Sequence, residues 1–366
     1  MTIYIVETFV ILLLGLLIQP HFTNRRAKVY LFLVFLMLVL TAGLRAYSVG
    51  ADTRSYVGMF NNAPYIALFN SRIEAGFMMY LKFLRLISDD PRIMLFTSSS
   101  ICIGISCIFT YRFSKDPTMS MCLYMLMGSF FSQMNTMRQA MAASICEIAF
   151  MLVLSGKPNI PRKIAGAIVI LIATTIHTVA FIAYIPYILI LFTKGEEAET
   201  SYTAQKILLR SIGLAIVGFV GYSIVMRIAV RLFPAYTYYF LSVWGESNYN
   251  ASLFNTLIAV VFAAAGGIVL KTATLNNIQR FATIMIGFSI VFYVLSMRME
   301  IWNRIAGIFS IYTYLLWVPE FVSDISDLKN SIIVRLSIVI AAFFYMVIVL
   351  YFRPEWTLVV PYALRG

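Results

Sequence analysis

Residues 29–56 read VYLFLVFLMLVLTAGLRAYSVGADTRSY. The first part, Val29 to Leu44, is apolar and crosses most of a bilayer as a helix, for which a full span takes roughly 17–25 residues. The second part, Gly43 to Tyr56, is its opposite. Arg45, Asp52, Thr53 and Arg54 fall within ten residues of a chain that is only 12% charged. A spanning helix that runs into a charged turn predicts a membrane bundle with polar groups gathered at one of its surfaces. Gly50 allows the backbone to turn where a side chain would clash. Asp52 and Thr53 either cap the next helix or present a carboxylate and a hydroxyl beside the membrane surface.

Composition extends this reading to the whole chain. Of 366 residues, 61% are hydrophobic, and the mean hydropathy is +0.87. Soluble domains are nearer about 45–50% apolar and about 25% charged. No polar segment is long enough to bury a core of its own. The fold class expected is therefore all-α: a polytopic membrane protein forming one transmembrane domain over 1–366. Cys102, Cys107, Cys122 and Cys146 all lie in apolar runs and read as small core residues. The N-terminus has no basic n-region or small-residue cleavage site, so Ile3 to Leu17 is expected to be a retained span. The net charge of +12 is scattered singly between spans. That pattern suits lipid phosphate or a membrane surface and argues against nucleic acid.

Apolar runs place spans near 2–19, 28–44, 93–112, 117–133, 138–155, 163–176 with 178–193, 207–226, 253–270, 281–297, 304–319 and 332–351. This gives about 11–12 transmembrane helices. The run from Ile164 to Phe192 is too long for one simple span, and His177 divides it. Two short helices turning back at His177 are expected; one long tilted helix is the alternative. Within the 45–92 loop, Ile73, Phe77, Tyr80, Leu84 and Ile87 are assigned to one helical face, with Glu74, Lys82 and Arg85 opposite. This predicts an interfacial or re-entrant helix. A second loop, 227–252, carries Phe233, Tyr236, Tyr238, Tyr239, Phe240 and Trp244, which suit either a sugar site or a membrane belt.

Loop charges orient the bundle. Arg25, Arg26 and Lys28 are expected on the cytoplasmic side. Alternation from there leaves every lysine except Lys82 inside. It puts Arg45, Arg54, Arg138, Arg298 and Arg304 outside, with seven further arginines. Topology alone does not separate Lys from Arg, but binding does: the guanidinium fork grips phosphate oxygens at two points. An outer face rich in Arg and poor in Lys predicts an anionic ligand, phosphate above all. Adventitious anionic headgroups are the bland alternative.

Several residues can carry chemistry. Arg138, in SQMNTMRQAMAAS, opens a span, where a buried charge needs a partner or a task. Small residues after it suit close helix packing. His177, in TTIHTVAF, sits at the predicted turn, and imidazole titrates near neutrality. His21, near Arg25, reads as structural. Arg298, Glu300 and Arg304 lie in SMRMEIWNRIAG, where an ion pair through Glu300 is the simple reading and Trp302 is expected as an interface anchor. Glu147, in mid-span, is expected to pair with a polar neighbour. There is no GxxxxGK[ST], no HExxH and no Cys/His cluster, so neither a metal site nor a cofactor is expected.

These residues carry a resemblance. GLRAYSVGADTRSY, EAGF at Glu74–Phe77, MRQAMAAS at Met137–Ser144, IHTVAF at Ile176–Phe181 and NRIAGIFSIY at Asn303–Tyr312 recur in this order in the EpsG family. That family looks like the Wzy-type polymerases of bacterial capsule, exopolysaccharide and O-antigen synthesis. The resemblance spans about residues 40 to 315. The long external loops of many O-antigen polymerases are absent, apart from the loop after Arg227.

The resemblance implies a membrane glycosyltransferase on the outer face of the bacterial plasma membrane. It would move a polyprenyl-diphosphate-linked glycan onto a lipid-linked repeat unit. Arg45, Arg138, Arg298 and Arg304 are the candidates for a diphosphate clamp. His177 is the first candidate for the base and Asp52 the second. Glu74, Thr53 and Glu300 are the candidates for sugar binding. The implied partners are undecaprenyl-diphosphate-linked oligosaccharide and membrane lipids, with a flippase and a chain-length regulator as protein partners. A flippase for the same lipids and a glycan ligase using the same donor are the rival functions.

Overall fold

The structure, a computed structural model, describes residues 1–18, 24–68, 73–192, 203–232, 234, 237, 248–270 and 275–364. Among these residues the protein is helical. The described residues form no strand, and one isolated bridge joins Arg45 to Leu364. It is an all-α, polytopic membrane protein. Several expectations lie outside the described residues: His21, the loop charges Arg72, Lys194, Lys271 and Arg365, and the aromatic positions 233, 236, 238–240 and 244.

The chain forms two compact units: Met1–Tyr187 with Leu328–Gly366, and Ile188–Asp327. The first contains α1 (Thr2–Ile18), α2 (Asn24–Leu44), α3 (Thr53–Asn62), α4 (Ala75–Ile87), α5 (Arg92–Phe113), α6 (Pro117–Leu126), α7 (Ser129–Asn135), α8 (Met137–Leu154) and α9 (Ile160–Ile176). α10 (Tyr184–Phe192) begins in it, after a 3₁₀ turn over Thr178–Ala183. Side chains start the helices where the sequence supplies caps. Asp116 accepts from the Met119 N–H at 3.0 Å, with Pro117 in the first turn where its missing N–H costs nothing. Asn159 does the same for the Arg162 N–H at 3.1 Å.

α6 is buried at every residue, its polar Ser120 included, whose hydroxyl donates to the Asp116 carbonyl at 3.1 Å. Asp116 also pairs with Arg335 of the C-terminal helix, so a cap residue doubles as a tie between helices. Glu147 on α8 accepts from Ser106 on α5 at 3.0 Å, the polar neighbour expected for it. All four cysteines are buried and free.

His177 does reverse the chain. Tyr184 donates to the Ala167 carbonyl at 2.7 Å and Tyr187 to the Lys163 carbonyl at 2.6 Å. Those pairs straddle residue 177, so α9 and the helix after it run antiparallel and a single long helix is excluded.

The second unit contains α11 (Ala204–Val220), α12 (Tyr222–Leu232), α13 (Tyr249–Val269), α14 (Asn277–Ser296), α15 (Ile301–Tyr312) and α16 (Val318–Ser323), with a π turn over Thr313–Trp317. A capping box of Asn276 and Gln279 opens α14. Trp317 donates to the Phe262 carbonyl at 2.8 Å. α17 (Leu328–Val347) returns to the first unit and leaves Ile332, Leu336, Ile340 and Phe344 exposed, as a lipid-facing stripe requires.

Helix occupies every expected span, but the lengths differ. Among the described residues seven helices are long and apolar enough to cross a membrane, or eight if the pair bent at Gly221 counts as one span. Thr2–Ile18 and Thr178–Phe192 are apolar but shorter. Besides the expected break at His177, breaks at Met127–Gly128 and Gly221 divide apolar runs into pieces, and the hydropathy of the sequence does not register these two.

α4 is the helix expected within the 45–92 loop. Phe77, Met78, Leu81 and Leu84 are buried, while Met79, Phe83, Leu86 and Ile87 are exposed. Ile87, assigned to the same helical face as Phe77 and Leu84, is exposed where they are buried. At about 100° per residue, the ten steps from Phe77 leave it about 80° away round the helix, just past the edge of the buried stripe.

Candidate functional site

The polar segment after α2 packs on the junction of α7 and α8. Gly50 stands at φ +94°, a conformation that side chains other than glycine's rarely adopt. It turns the chain so that the Ala51 N–H donates to Asn135 Oδ1 at 2.7 Å. Thr53 is fully buried, and its hydroxyl donates to the Val49 carbonyl at 2.7 Å and the Met134 carbonyl at 3.5 Å. Arg45 is 1% exposed. Its guanidinium donates to the carbonyls of Ala42 and, at 3.4 Å, Met134.

Two expectations change here. Arg45 was a candidate for the diphosphate clamp and Thr53 for sugar binding. Both are buried and donate to main-chain carbonyls inside the fold, although the buried Arg45 Nε finds no partner there among the described residues. They staple the segment to Met134. Asp52 is different: it is exposed at the start of α3 and makes no side-chain cap bond.

Directly after Asn135 and Thr136, α8 opens with Met137 and Arg138. The Arg138 N–H donates to the Tyr56 hydroxyl at 3.5 Å. Burial holds the Tyr56 phenol above its ordinary value, and Arg138 opposes that shift. Tyr56 therefore serves as a neutral hydroxyl. The Arg138 guanidinium lies 5.8 Å from the ring centre of Phe77, in cation–π range.

Glu74 is the hub. It precedes α4, whose Gly76 packs on the end of α9. A Cβ at position 76 would come within 2.7 Å of the Thr175 carbonyl oxygen. That close approach delivers Glu74 to the His177 turn. Its Oε2 accepts from Arg138 Nη1 at 2.6 Å. Its Oε1 accepts from the Thr178 N–H at 3.2 Å and from the Thr178 hydroxyl at 3.4 Å, and lies 3.9 Å from His177 Nδ1. The side chains of Arg138, Glu74 and His177 are 22%, 16% and 16% exposed, so the cluster is sheltered but reachable.

His177 caps the 3₁₀ turn: its Nδ1 accepts from the Val179 N–H at 3.2 Å. In a neutral imidazole that bond fixes the proton on Nε2. The ring then offers a donor, and acting as a base, the role first expected of it, would require breaking the cap.

Arg45, Asp52, Glu74, Arg138 and His177 all lie at one end of the first unit. The other three candidates belong to the second. There Arg298 lies 4.3 Å over the Phe219 ring. Glu300 Oε1 accepts from Asn303 Nδ2 at 2.7 Å, and Asn303 Oδ1 accepts from Asn255 Nδ2 at 3.4 Å. Burial raises the Glu300 carboxyl above its ordinary value, partly offset by Asn303. Arg304 is exposed on α15. Trp302, expected at the interface, is 9% exposed and stacks on Phe292 at 5.8 Å. Stacking within the α14–α15 core replaces the interfacial role.

Sequence reasoning missed Tyr56, Gly76 and Asn135. Gly76 sits in the EAGF motif, and that motif was its one available signal. Among the described residues no three His, Cys, Asp or Glu side chains group to hold a metal.

A multi-pass helical bundle that gathers Arg, Glu and His at one end defines an integral membrane protein with a charged terminal site. A model of the EpsG family matches residues 28–364, and the chain belongs to that family. EpsG is a family of Wzy-type polysaccharide polymerases, so the activity implied is a glycosyltransferase-type polymerisation. No curated protein and no solved structure matches the chain significantly.

Proposed function

We propose that this protein polymerises a polyprenyl-diphosphate-linked glycan at the outer face of the bacterial plasma membrane. The carrier we infer is undecaprenyl diphosphate, and the product a capsular, exopolysaccharide or O-antigen chain. The observation that carries the reading is Glu74 held between Arg138 and the His177–Thr178 turn. In a polymerase of this family, that cluster supplies a cation, a hydrogen-bond donor and a carboxylate side by side.

The reaction is a glycosyl transfer. An acceptor hydroxyl attacks the anomeric carbon of the donor, and the bond to the diphosphate breaks with its electron pair leaving on the diphosphate. Arg138 binds the developing charge through its fork, and the Nε2–H of His177 donates beside it. One well-aimed donor of this kind is worth roughly 2.7–4 kcal/mol. Glu74 holds Arg138 in place and orients sugar hydroxyls. The proton passes to Asp52, the exposed carboxylate, and a positioned base contributes roughly 10²–10⁴-fold. Arg298, Glu300 and Arg304 lie in the second unit, where they stay candidates for diphosphate and sugar binding. The lipid tails lie among the helices, and a flippase supplies the repeat units.

Glycan length on the lipid carrier after deletion of the protein tests this reading. Single repeats accumulating outside support a polymerase, and repeats trapped inside would make it a flippase. Full-length polymer still on its carrier would make it a ligase.

A further inference from the structure

The C-terminal tail beyond α17 does not run free. The Gly50 N–H donates to the Leu358 carbonyl at 2.8 Å, and the Ala46 N–H donates to the Ala363 carbonyl at 2.8 Å. Arg45 and Leu364 form the isolated bridge. The Tyr362 hydroxyl donates to the Thr41 carbonyl at 3.0 Å. The Tyr4 hydroxyl, from the first turns of α1, donates to the Val359 carbonyl at 3.0 Å, and Val359 is fully buried. Tyr4 and Tyr362 meet edge to face at 5.8 Å. Chain ends are ordinarily loose unless tied down. This one is tied at five points, all along the segment between Thr41 and Gly50 or to the helix beside it.

We infer that the strap Leu358–Leu364 is a positioning element of the polymerase site: it forms the second jaw of a clamp on the Arg45–Thr53 loop. The first jaw is the α7–α8 junction, through Asn135 to the Ala51 N–H and Met134 to Thr53. Gly50 is the point where the jaws oppose. Its N–H is held by the strap, while a Cβ there would lie 3.0 Å from Asn135 Oδ1. The backbone from Arg45 to Gly50 cannot shift while both jaws are closed, so Asp52 is held in register with Tyr56 and Arg138. The strap touches none of the reacting groups and acts through the loop. Its relevance to catalysis rests on the site proposed above.

The test uses full-length protein in vesicles, with carrier-linked repeats as substrate. The double variant Tyr4→Phe/Tyr362→Phe removes two hydroxyl bonds of the strap and keeps both rings. Its membrane insertion should match wild type and its melting temperature should fall slightly, because two hydroxyl bonds are lost, while kcat/KM per folded molecule falls roughly tenfold or more, because small misplacements of reacting groups are costly. Adding Asp52→Asn should cost no more than Asp52→Asn alone, since both changes act on one loop. If the double variant yields less folded protein, Tyr362→Phe alone, read as activity per folded molecule, carries the same expectation with a smaller loss. Wild-type activity per folded molecule in both variants overturns the inference. Glu74→Gln assayed in parallel separates the two claims. If Glu74→Gln is inactive while the strap variants work at the wild-type rate, only the strap falls. If Glu74→Gln is fully active, the site itself is misplaced.

Discussion

Glu74 divides its two carboxylate oxygens between partners far apart in the chain: Arg138 at 2.6 Å on one and the Thr178 amide at 3.2 Å on the other. The polar segment before α4, the start of α8 and the end of α9 therefore converge on a single side chain. An ion pair that is mostly buried is costly to break from one side, because the remaining charge is left without its partner. The pair is thus both a structural tie and a store of aligned charge, and substitutions can separate these roles.

His177→Asn tests whether the imidazole does more than cap. Asn is among the best N-cap residues, whereas replacing a cap by Ala costs about 0.5–2 kcal/mol. His177→Asn should hold a melting temperature near wild type and lose most polymer, because the amide keeps an acceptor for the Val179 N–H but does not reproduce the Nε2–H. His177→Ala should lose both stability and polymer. Thermal unfolding in detergent and a polymer gel on the same preparations give the comparison. Full-length polymer from the Asn variant reduces His177 to a cap.

Gly76→Ala should be severe for a residue that carries no chemistry. The added methyl meets the backbone of Thr175 at a distance that atoms do not tolerate, so α4 must move away from α9. Overpacking of this kind costs about 1–3 kcal/mol. The shift also withdraws Glu74 from Thr178. A lower melting temperature together with lost polymer is expected, and unchanged values for both would show that α4 does not approach α9 as described.

Glu300 predicts a pH effect of definite sign. Its folded value is raised above the ordinary 4.5, chiefly by burial. The proton bound to it therefore stabilises the fold in acid, and that contribution is lost as pH rises through the folded value. Glu300→Gln keeps an acceptor for Asn303 and removes the titration. The variant should melt above wild type at neutral pH, and the difference should shrink as pH falls towards the ordinary glutamate value. A variant that is less stable at neutral pH by the same margin as in acid would contradict the assignment.

The clamp is argued from guanidinium geometry, which makes two linked predictions. Purified protein should still polymerise carrier-linked repeats in excess EDTA. Arg138→Lys should lose most activity although it keeps the charge, because an ammonium does not reproduce the fork that pairs with Glu74 and phosphate. Loss of activity in EDTA with recovery on added magnesium would shift the charge stabilisation to a metal.

Much of the architecture is legible in the residues, because membrane helices announce themselves by length and hydropathy. The hairpin at His177 is legible for the same reason: Ile164 to Phe192 is too long for one span and holds one polar break. The pairing of Glu74 with Arg138 is not, since nothing in EAGF or MRQAMAAS states that one carboxylate serves both α8 and α9. Arg45 misleads for a physical reason. A lone arginine in an apolar chain reads as a ligand group, yet this one is buried and its two terminal nitrogens donate to the carbonyls of Ala42 and Met134. The strap is silent in the sequence because its bonds are mostly main chain to main chain, and no periodicity encodes them.

The most direct test of the central claim is glycan length on the lipid carrier made by Glu74→Gln protein that is folded and present at wild-type abundance. The account predicts single repeats and no polymer, because the amide no longer holds Arg138 by charge and no longer offers a carboxylate to sugar hydroxyls. Polymer of wild-type length from that variant would contradict it and place the polymerase site away from Glu74, Arg138 and His177.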